Sequence, residues 1–528
     1  MPSGRPWKAA KGCHGLPGIG GSYRRVSLPR FEKPVAAAQR DNSERPADLA
    51  DLDHDPQALR EMSAAVIDKV VEHLAALPQM PVRGDLGGAQ GPEALCRSLE
   101  ENEPPQQGTD LDAVLEPYFS SWVETSFNTA SAGYMAFVPG GGLFESALAA
   151  FVASATNRYT GVWQAAPPLV QLEANVLRWL CGWMGFPEGA RGLLTTGGSS
   201  ATFTAVVCAR EEKLGTELRQ GVLYTSSQAH LCVTKSARMA GILKDRVRIV
   251  PIDQAFRMDL DVLQTMIDED RKAGLRPFMV VSSAGTVNTG SIDPLPEIAD
   301  LCARENLWHH CDGAYGACFH IVPELKPLLS GLERADSLTL DPHKGLFLSY
   351  GVGALLVRNG EALRRAHAET ASYLPEPVEA FYDPSQYGPE LSRDYRGLRL
   401  WLPIKLLGAE KFVAALAEKR ALAQGAAKRL AALPGVAMDA WPELSLLAFH
   451  ATWPGASLAD ENRVTAELME RVAALGRVML TGCTVNGRHM ARVCVLSFRT
   501  RAAQIDALIE DCSGELSALL ADQSSAAN

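Results

Sequence analysis

The sequence predicts an α/β protein built on a mostly parallel central sheet. Two observations carry this. Between residues 140 and 360, helical stretches alternate with short, continuously apolar runs, the pattern of strands buried on both faces under covering helices. The residues with chemical character fall just past the ends of these runs, where parallel sheets collect ligands.

The elements follow in chain order. Residues 1–50 read as a disordered tail: Met1–Phe31 is rich in Gly, Lys and Arg and lacks an apolar core segment, so it is not a secretory signal. A helix starts near Asp55, with Leu59, Met62, Val66, Val70 and Leu74 at helical spacing, and Pro78 and Pro81 end it. This opens an N-terminal helical segment over residues 51–139. In the large domain, residues 140–400, helices are expected over Leu169–Met184, Ala201–Leu214 and Pro294–Glu305, and strands over Gly221–Thr225, Arg248–Val250 and Phe278–Val281. Residues 401–528 form a small α/β domain: Ala-rich helices, strands over Leu446–Ala451 and Ala491–Ser497, and a last helix from Ala502 to Leu519.

Composition narrows the function. A chain of 528 residues with 47% hydrophobic and 21% charged residues can bury an extensive core. A net charge of −10 without a basic stripe excludes a nucleic-acid surface, and no apolar run reaches the length of a membrane span. The 11 cysteines are scattered, with no Cys-x-x-Cys pair, which reads as reduced thiols in a cytoplasm. His309, His310 and His320 near Cys311 and Cys318 do not make a metal site, since consecutive strand residues face opposite ways.

The chemistry concentrates in three places. Lys344 stands in Asp341-Pro342-His343-Lys344-Gly345, just before the apolar run Val352–Arg358. Thirty-two residues earlier, Asp312 ends His309-His310-Cys311-Asp312 and is followed by the small residues Gly313 and Ala314. Farther back, Thr195-Thr196-Gly197-Gly198-Ser199-Ser200-Ala201 is a small-residue turn opening a helix. An amine, a carboxylate and an anion-binding helix end are what pyridoxal 5'-phosphate needs: covalent attachment, a protonated pyridine nitrogen and a held phosphate.

These motifs, in this order, resemble the pyridoxal-phosphate-dependent group II amino-acid decarboxylases of the fold-type I aminotransferase scaffold, with the aromatic-L-amino-acid decarboxylases the nearest branch. The resemblance runs from about residue 55 to 515. It implies that Lys344 binds the cofactor, that Asp341 and His343 lie near the phosphate with Gly198 and Ser199, and that Asp312 holds the ring nitrogen beside Ala314. It also implies that His230, in Ser226–Val233, stacks on the ring and that Thr286, in Ser282–Asp293, contacts the cofactor. Gly345 departs from the family, which usually has Trp there. Segments Ala132–Gly140 and Val162–Pro168 resemble borders of the substrate pocket, while a core role for Trp163 and a plain turn at Pro139-Gly140 stay open. Gly161 stands where the family usually has Phe, which leaves aliphatic and acidic substrates open.

The resemblance further implies a cytoplasmic homodimer, its N-terminal segment packed on the partner, that turns an L-amino acid into an amine and CO₂. A mobile loop after the lysine strand, Ala371–Asp394, would supply a proton-donating tyrosine, Tyr382 first and Tyr387 second, with Tyr373 also present. Aldehyde synthesis or transamination on the same scaffold is the alternative.

Overall fold

The computed structural model describes residues 52–84 and 91–526, so the expected tail over residues 1–50 lies outside the described residues. The chain divides into two units, Met1–Ser63 and Ala64–Asn528. In the first, Asp55 Oδ1 accepts from the backbone N–H groups of Gln57 and Ala58 at 2.8 and 2.9 Å, capping the helix Pro56–Ala76. None of that helix's residues is buried.

The larger unit is organised by seven strands: β1 (Arg191–Thr195), β2 (Gly221–Ser226), β3 (Val247–Val250), β4 (Arg276–Ser283), β5 (Trp308–Asp312), β6 (Ser337–Leu340) and β7 (Gly353–Val357). Their spatial order is β1-β7-β6-β5-β4-β2-β3. The run from β6 through β3 pairs in parallel, while β7 is antiparallel to both β6 and β1. The apolar runs read from the sequence sit inside β2, β3 and β4. Every residue of β2, β5, β6 and β7 is buried, as strands covered on both faces must be. On one face the helices Gly198–Leu214 and Cys232–Met239 bring Ala201, Ala205, Val233 and Ala237 against Leu223, Met279 and Leu355. On the other, Leu260–Lys272 and Leu295–Glu305 bring Leu263, Ile267 and Ile298 against Val222, Tyr224 and Val280.

Two glycines let helices come close to the sheet, Gly353 the start of Gly198–Leu214 and Gly192 the helix Pro167–Trp183. A Cβ on Gly353 of β7 would lie 2.5 Å from the Cα of Gly197, and one on Gly192 of β1 would meet Leu177 and Leu356 side chains within 2.9 Å. The start of Gly198–Leu214 is thereby pressed onto the ends of β6 and β7, where Lys344 follows.

After the helices Gly397–Leu407 and Ala409–Ala431 comes a four-stranded antiparallel sheet: β8 (Val436–Ala440), β9 (Leu446–Ala451), β10 (Thr481–Val485) and β11 (Arg488–Cys494), in the order β10-β11-β9-β8. The strand expected over Ala491–Ser497 starts earlier, at Arg488, because Asn486 and Gly487, both at positive φ (50° and 81°), close a two-residue hairpin with β10. The helices Leu458–Ala474 and Ala502–Ala526 cover this sheet.

Candidate active site

Lys344 lies on the single helical turn Pro342–Gly345 between β6 and β7. The turn is held by bonds from the N–H of Lys344 and of Gly345 to Asp341 O, at 2.8 and 3.1 Å. It is followed by Phe347 at φ 61°, a conformation a bulky residue keeps only when its surroundings enforce it. Here Phe347 is buried and its carbonyl accepts from Leu143 N at 2.8 Å. Gly345, the departure noted above, faces Cys318.

The Lys344 ammonium reaches Asp341 Oδ2 at 2.9 Å. Burial works against its charge, but the attraction and hydrogen bond of Asp341, helped by Asp312, outweigh that and hold its pKa above the usual lysine value. His343 donates from Nδ1 to Val352 O at 2.6 Å, which leaves Nε2 as the acceptor nitrogen, and burial lowers its pKa.

Asp312 ends β5, buried, with Oδ1 accepting from Ala314 N at 3.1 Å. Beneath it His310 is wholly enclosed, bonded to Ser337 and Thr339, while His309 points to the opposite face and bonds Ser282. The two adjacent histidines thus serve two separate faces, as strand geometry requires. Among the described residues no group of three metal-binding side chains converges.

His230 follows β2. Its Nδ1 accepts from Cys232 N at 3.2 Å, and burial lowers its pKa, so the ring is neutral at neutral pH with Nε2 carrying the proton. Thr286, past the end of β4, is buried and shares a 3.0 Å hydrogen bond with Thr289. That loop is fixed by a residue the sequence reading passed over. The enclosed carboxylate of Asp293 accepts from Ser283 N and Met258 N, each at 2.8 Å. Burial pushes its pKa up to about 6.

These groups enclose one cavity of about 300 Å³, lined by Gly198, Ser199, His230, Thr286, Asp312, Ala314, Asp341, His343 and Lys344, with Cys232 and Tyr315. Every expected cofactor residue is therefore at one place. The N–H groups of Gly198 and Ser199, at the start of a 17-residue helix, have no intrahelical partner and offer an anion cradle. A Cβ on Gly198 would lie 3.1 Å from both Ala314 Cβ and Asp341 Oδ2, so a side chain here would crowd the cradle. The donor set fits pyridoxal phosphate: an amine, a buried carboxylate across the cavity, a neutral imidazole and an open helix end.

Two expected site residues are not brought there. Tyr382 borders a different cavity, beside Leu177, Cys181 and Arg191, and its buried hydroxyl has no partner. Tyr387 stacks on it at 5.2 Å. Their positions are set by the packed base of the loop, where Arg393 pairs with Glu173, both fully enclosed. Tyr373, at the start of the same loop, is 76% exposed. Sequence alone could not separate a packing tyrosine from a free one.

Of the two segments expected to border the substrate, Val162–Pro168 meets this loop, whereas in Ala132–Gly140 a Cβ on Gly140 would lie 2.0 Å from His343 O. Trp163 stacks on Phe381 at 4.3 Å, and its backbone N–H donates to Asp383 Oδ2 at 3.2 Å. A Cβ on Gly161 would lie 2.0 Å from Leu391 O and 2.8 Å from the Tyr159 hydroxyl, so the backbone of Leu391 and the ring of Tyr159 leave no room for a larger residue there.

Comparison with known proteins agrees with this geometry. Residues 92–452 match the pyridoxal-dependent decarboxylase conserved domain. The aromatic-L-amino-acid decarboxylase of Bacillus atrophaeus is 31% identical over 458 residues, 85% of this chain and 93% of that protein. The human (Homo sapiens) histidine decarboxylase is 26% identical over 477 residues, 85% of this chain and 69% of that protein. In structure, Oryza sativa TDC, solved with PLP and tryptamine, superposes with a TM-score of 0.82 at 24% identity, covering 88% of this chain and 99% of that one. The architecture is the fold-type I arrangement, and the chain belongs to the pyridoxal-dependent decarboxylase family, enzymes that remove CO₂ from amino acids with pyridoxal phosphate.

Proposed function

We propose that this enzyme converts an aromatic L-amino acid into its amine, and that it does so as a cytoplasmic homodimer. The observation that carries the reaction is the convergence of Lys344, Asp312, His230 and the Gly198–Ser199 helix end on one cavity. Lys344 holds the cofactor covalently, Asp312 keeps the ring nitrogen protonated through a charge-assisted hydrogen bond, and the N–H groups of Gly198 and Ser199 take the phosphate. Thr286, Ala314, Asp341 and His343 complete the cofactor's surroundings. When bound, pyridoxal phosphate supplies the electron sink for the pair left by departing CO₂.

The protein's own residues decide which bond breaks. The neutral ring of His230 covers one face of the cavity and, with Nε2–H directed outward, can orient the substrate carboxylate across the ring plane. A proton must then reach the α-carbon, and the loop Ala371–Asp394 is the segment proposed to bring it. Tyr382 and Tyr387 could serve only by leaving their packed positions, whereas Tyr373 is exposed where it stands.

Similarity to the Bacillus aromatic-L-amino-acid decarboxylase supports an aromatic substrate, and Tyr159 keeps an aromatic wall beside Gly161. The uncovered helix Pro56–Ala76 supports packing against a second copy. Nine buried cysteines left unpaired suit a reducing compartment, and no helix among the described residues is long and apolar enough to cross a membrane.

A panel of amino acids assayed for CO₂ and amine release tests the proposal. Release from tryptophan, tyrosine or phenylalanine well above that from glutamate, valine or histidine is expected, and a preference for an acidic or aliphatic substrate would overturn it. Aldehyde and ammonia in place of amine would assign the alternative reaction. Borohydride reduction and peptide mapping should leave the pyridoxyl group on Lys344, and Lys344→Ala should abolish turnover while the fold survives.

A further inference from the structure

A second cavity, of about 890 Å³, is walled by residues 77–82 and 131–133, by residues 475–477 and by the stretch 498–507. It shares no lining residue with the cofactor cavity. Three arginines line it, Arg477, Arg499 and Arg501, and among the described residues no aspartate or glutamate does. That is a local excess of positive charge in a chain whose net charge is −10.

Two of the three are neutralised by acids that do not line the cavity. Arg477 pairs with Glu510 at 3.0 Å and with Asp511, and Arg501 pairs with Glu418 at 2.6 Å. Arg499 has no acid partner among the described residues. Its Nη1 donates to the carbonyls of Ala130 and Gly141, and its guanidinium carbon lies 4.3 Å from the centre of the Phe498 ring, which fixes the group in place. Nε and Nη2 are left without an acceptor. Burial alone acts on this guanidinium and holds its pKa below the usual arginine value, as expected for a charge that nothing offsets. The open edge, Nε with Nη2, is one that meets a carboxylate through two parallel hydrogen bonds. Much of the remaining wall is apolar, with Leu77, Met80, Val82, Leu475 and Phe498.

We propose that this cavity is a second ligand site, separate from the cofactor site, and that it takes an organic carboxylate with an apolar body. The carboxylate pairs with Nε and Nη2 of Arg499, and the body lies on the apolar wall. The volume is that of a small-molecule site. An inorganic anion would meet the charge without using the wall, and an uncharged chain the wall without using the charge.

The test is calorimetric titration of the full chain, saturated with pyridoxal phosphate so that the anion site of the cofactor cavity is filled. Octanoate should bind at one site per chain, and octanol and inorganic phosphate at least about tenfold more weakly, the worth of one charge-assisted hydrogen bond or more. Arg499→Gln keeps an amide for one carbonyl but removes the charge, and should weaken octanoate by at least about tenfold. Ala503 is exposed on the first turn of the helix Ala502–Ala526 and lines the cavity, so Ala503→Trp should fill it and abolish binding, with the thermal transition kept. Lys344→Ala should bind octanoate as the parent does. No binding by the parent, parent affinity in Arg499→Gln or Ala503→Trp, or loss of binding in Lys344→Ala would each overturn the proposal. If Arg499→Gln does not fold, Ala503→Trp decides alone. Octanoate that binds by splitting a dimer would give this face to a second copy of the chain and overturn it as well.

Discussion

Gly345 and Cys318 occupy adjoining space so closely that neither tolerates growth of the other. A Cβ on Gly345 would lie 2.4 Å from Cys318 Cβ and 2.8 Å from its Sγ. The Trp usual after the lysine in this family is therefore excluded by a residue 27 positions away, on the turn Ala317–Ile321.

Gly345→Ala should accordingly destabilise the chain by roughly 1–3 kcal/mol, the usual range for overpacking, and displace Lys344 enough to lower kcat. Cys318→Gly in the same chain should recover most of both losses, because it removes the atoms the new methyl meets. Urea unfolding and steady-state kinetics on the single and double variants check this. Additive losses in the double variant would show that the contact does not set the residue.

Asp312→Asn keeps the shape of the side chain and its bond from Ala314 N but removes the charge. Cofactor binding should persist while decarboxylation falls by roughly two to three orders of magnitude, a few kcal/mol of lost stabilisation. Near-parent turnover in the Asn variant would show that the ring nitrogen is held by another group.

Much of this site was legible because each of its parts is local. Lys344, Asp312 and the Gly197–Gly198 turn each sit in a short string whose residue types state a chemical task. The apolar runs that fill β2, β3 and β4 mark the sheet around them. What escaped was set by distant packing. Nothing near Asp293 in the chain shows that its carboxylate ties the N–H groups of Ser283 and Met258 together. Nothing near Tyr382 shows that the enclosed Glu173–Arg393 pair anchors the loop base beside it. The hairpin at Asn486-Gly487 is a different case. Its dipeptide is a strong turn signal flanked by strand-forming residues, and it places β11 correctly once read that way.

Acid should unfold this chain through its enclosed histidines. Burial lowers the pKa of His309 from 6.5 to about 3 and that of His310 from 6.5 to about 4. Both are depressed, so the unfolded chain takes up protons that the folded chain refuses. The stability they contribute is fully present above 6.5 and is lost as pH falls toward the folded values. By about pH 5 the loss should reach about 2 kcal/mol for each histidine. Urea midpoints measured from about pH 7 to about pH 5 should fall accordingly, and His309→Leu should flatten the slope by up to about one proton. An unchanged slope in that variant would remove His309 from the account.

The loop tyrosines separate by burial. Tyr382 keeps a buried hydroxyl with no partner, and burial raises its pKa well above the usual tyrosine value, so the group holds its proton, and it borders a different cavity from that of Lys344. Tyr382→Phe should leave turnover within about twofold and stabilise the chain by up to about 1 kcal/mol, since it removes an unsatisfied buried polar atom. Tyr387→Phe should likewise leave amine formation in place, because its ring is committed to the stack on Tyr382. Of the three loop tyrosines, Tyr373 is the most exposed, at 76%. Tyr373→Phe should slow amine formation by roughly a hundredfold or more, the usual worth of a positioned general acid, with a rise in aldehyde in the same assay. If Tyr373→Phe turns over at the parent rate while Tyr382→Phe or Tyr387→Phe does not, the loop must rearrange before protonation, and the packed tyrosine is the donor.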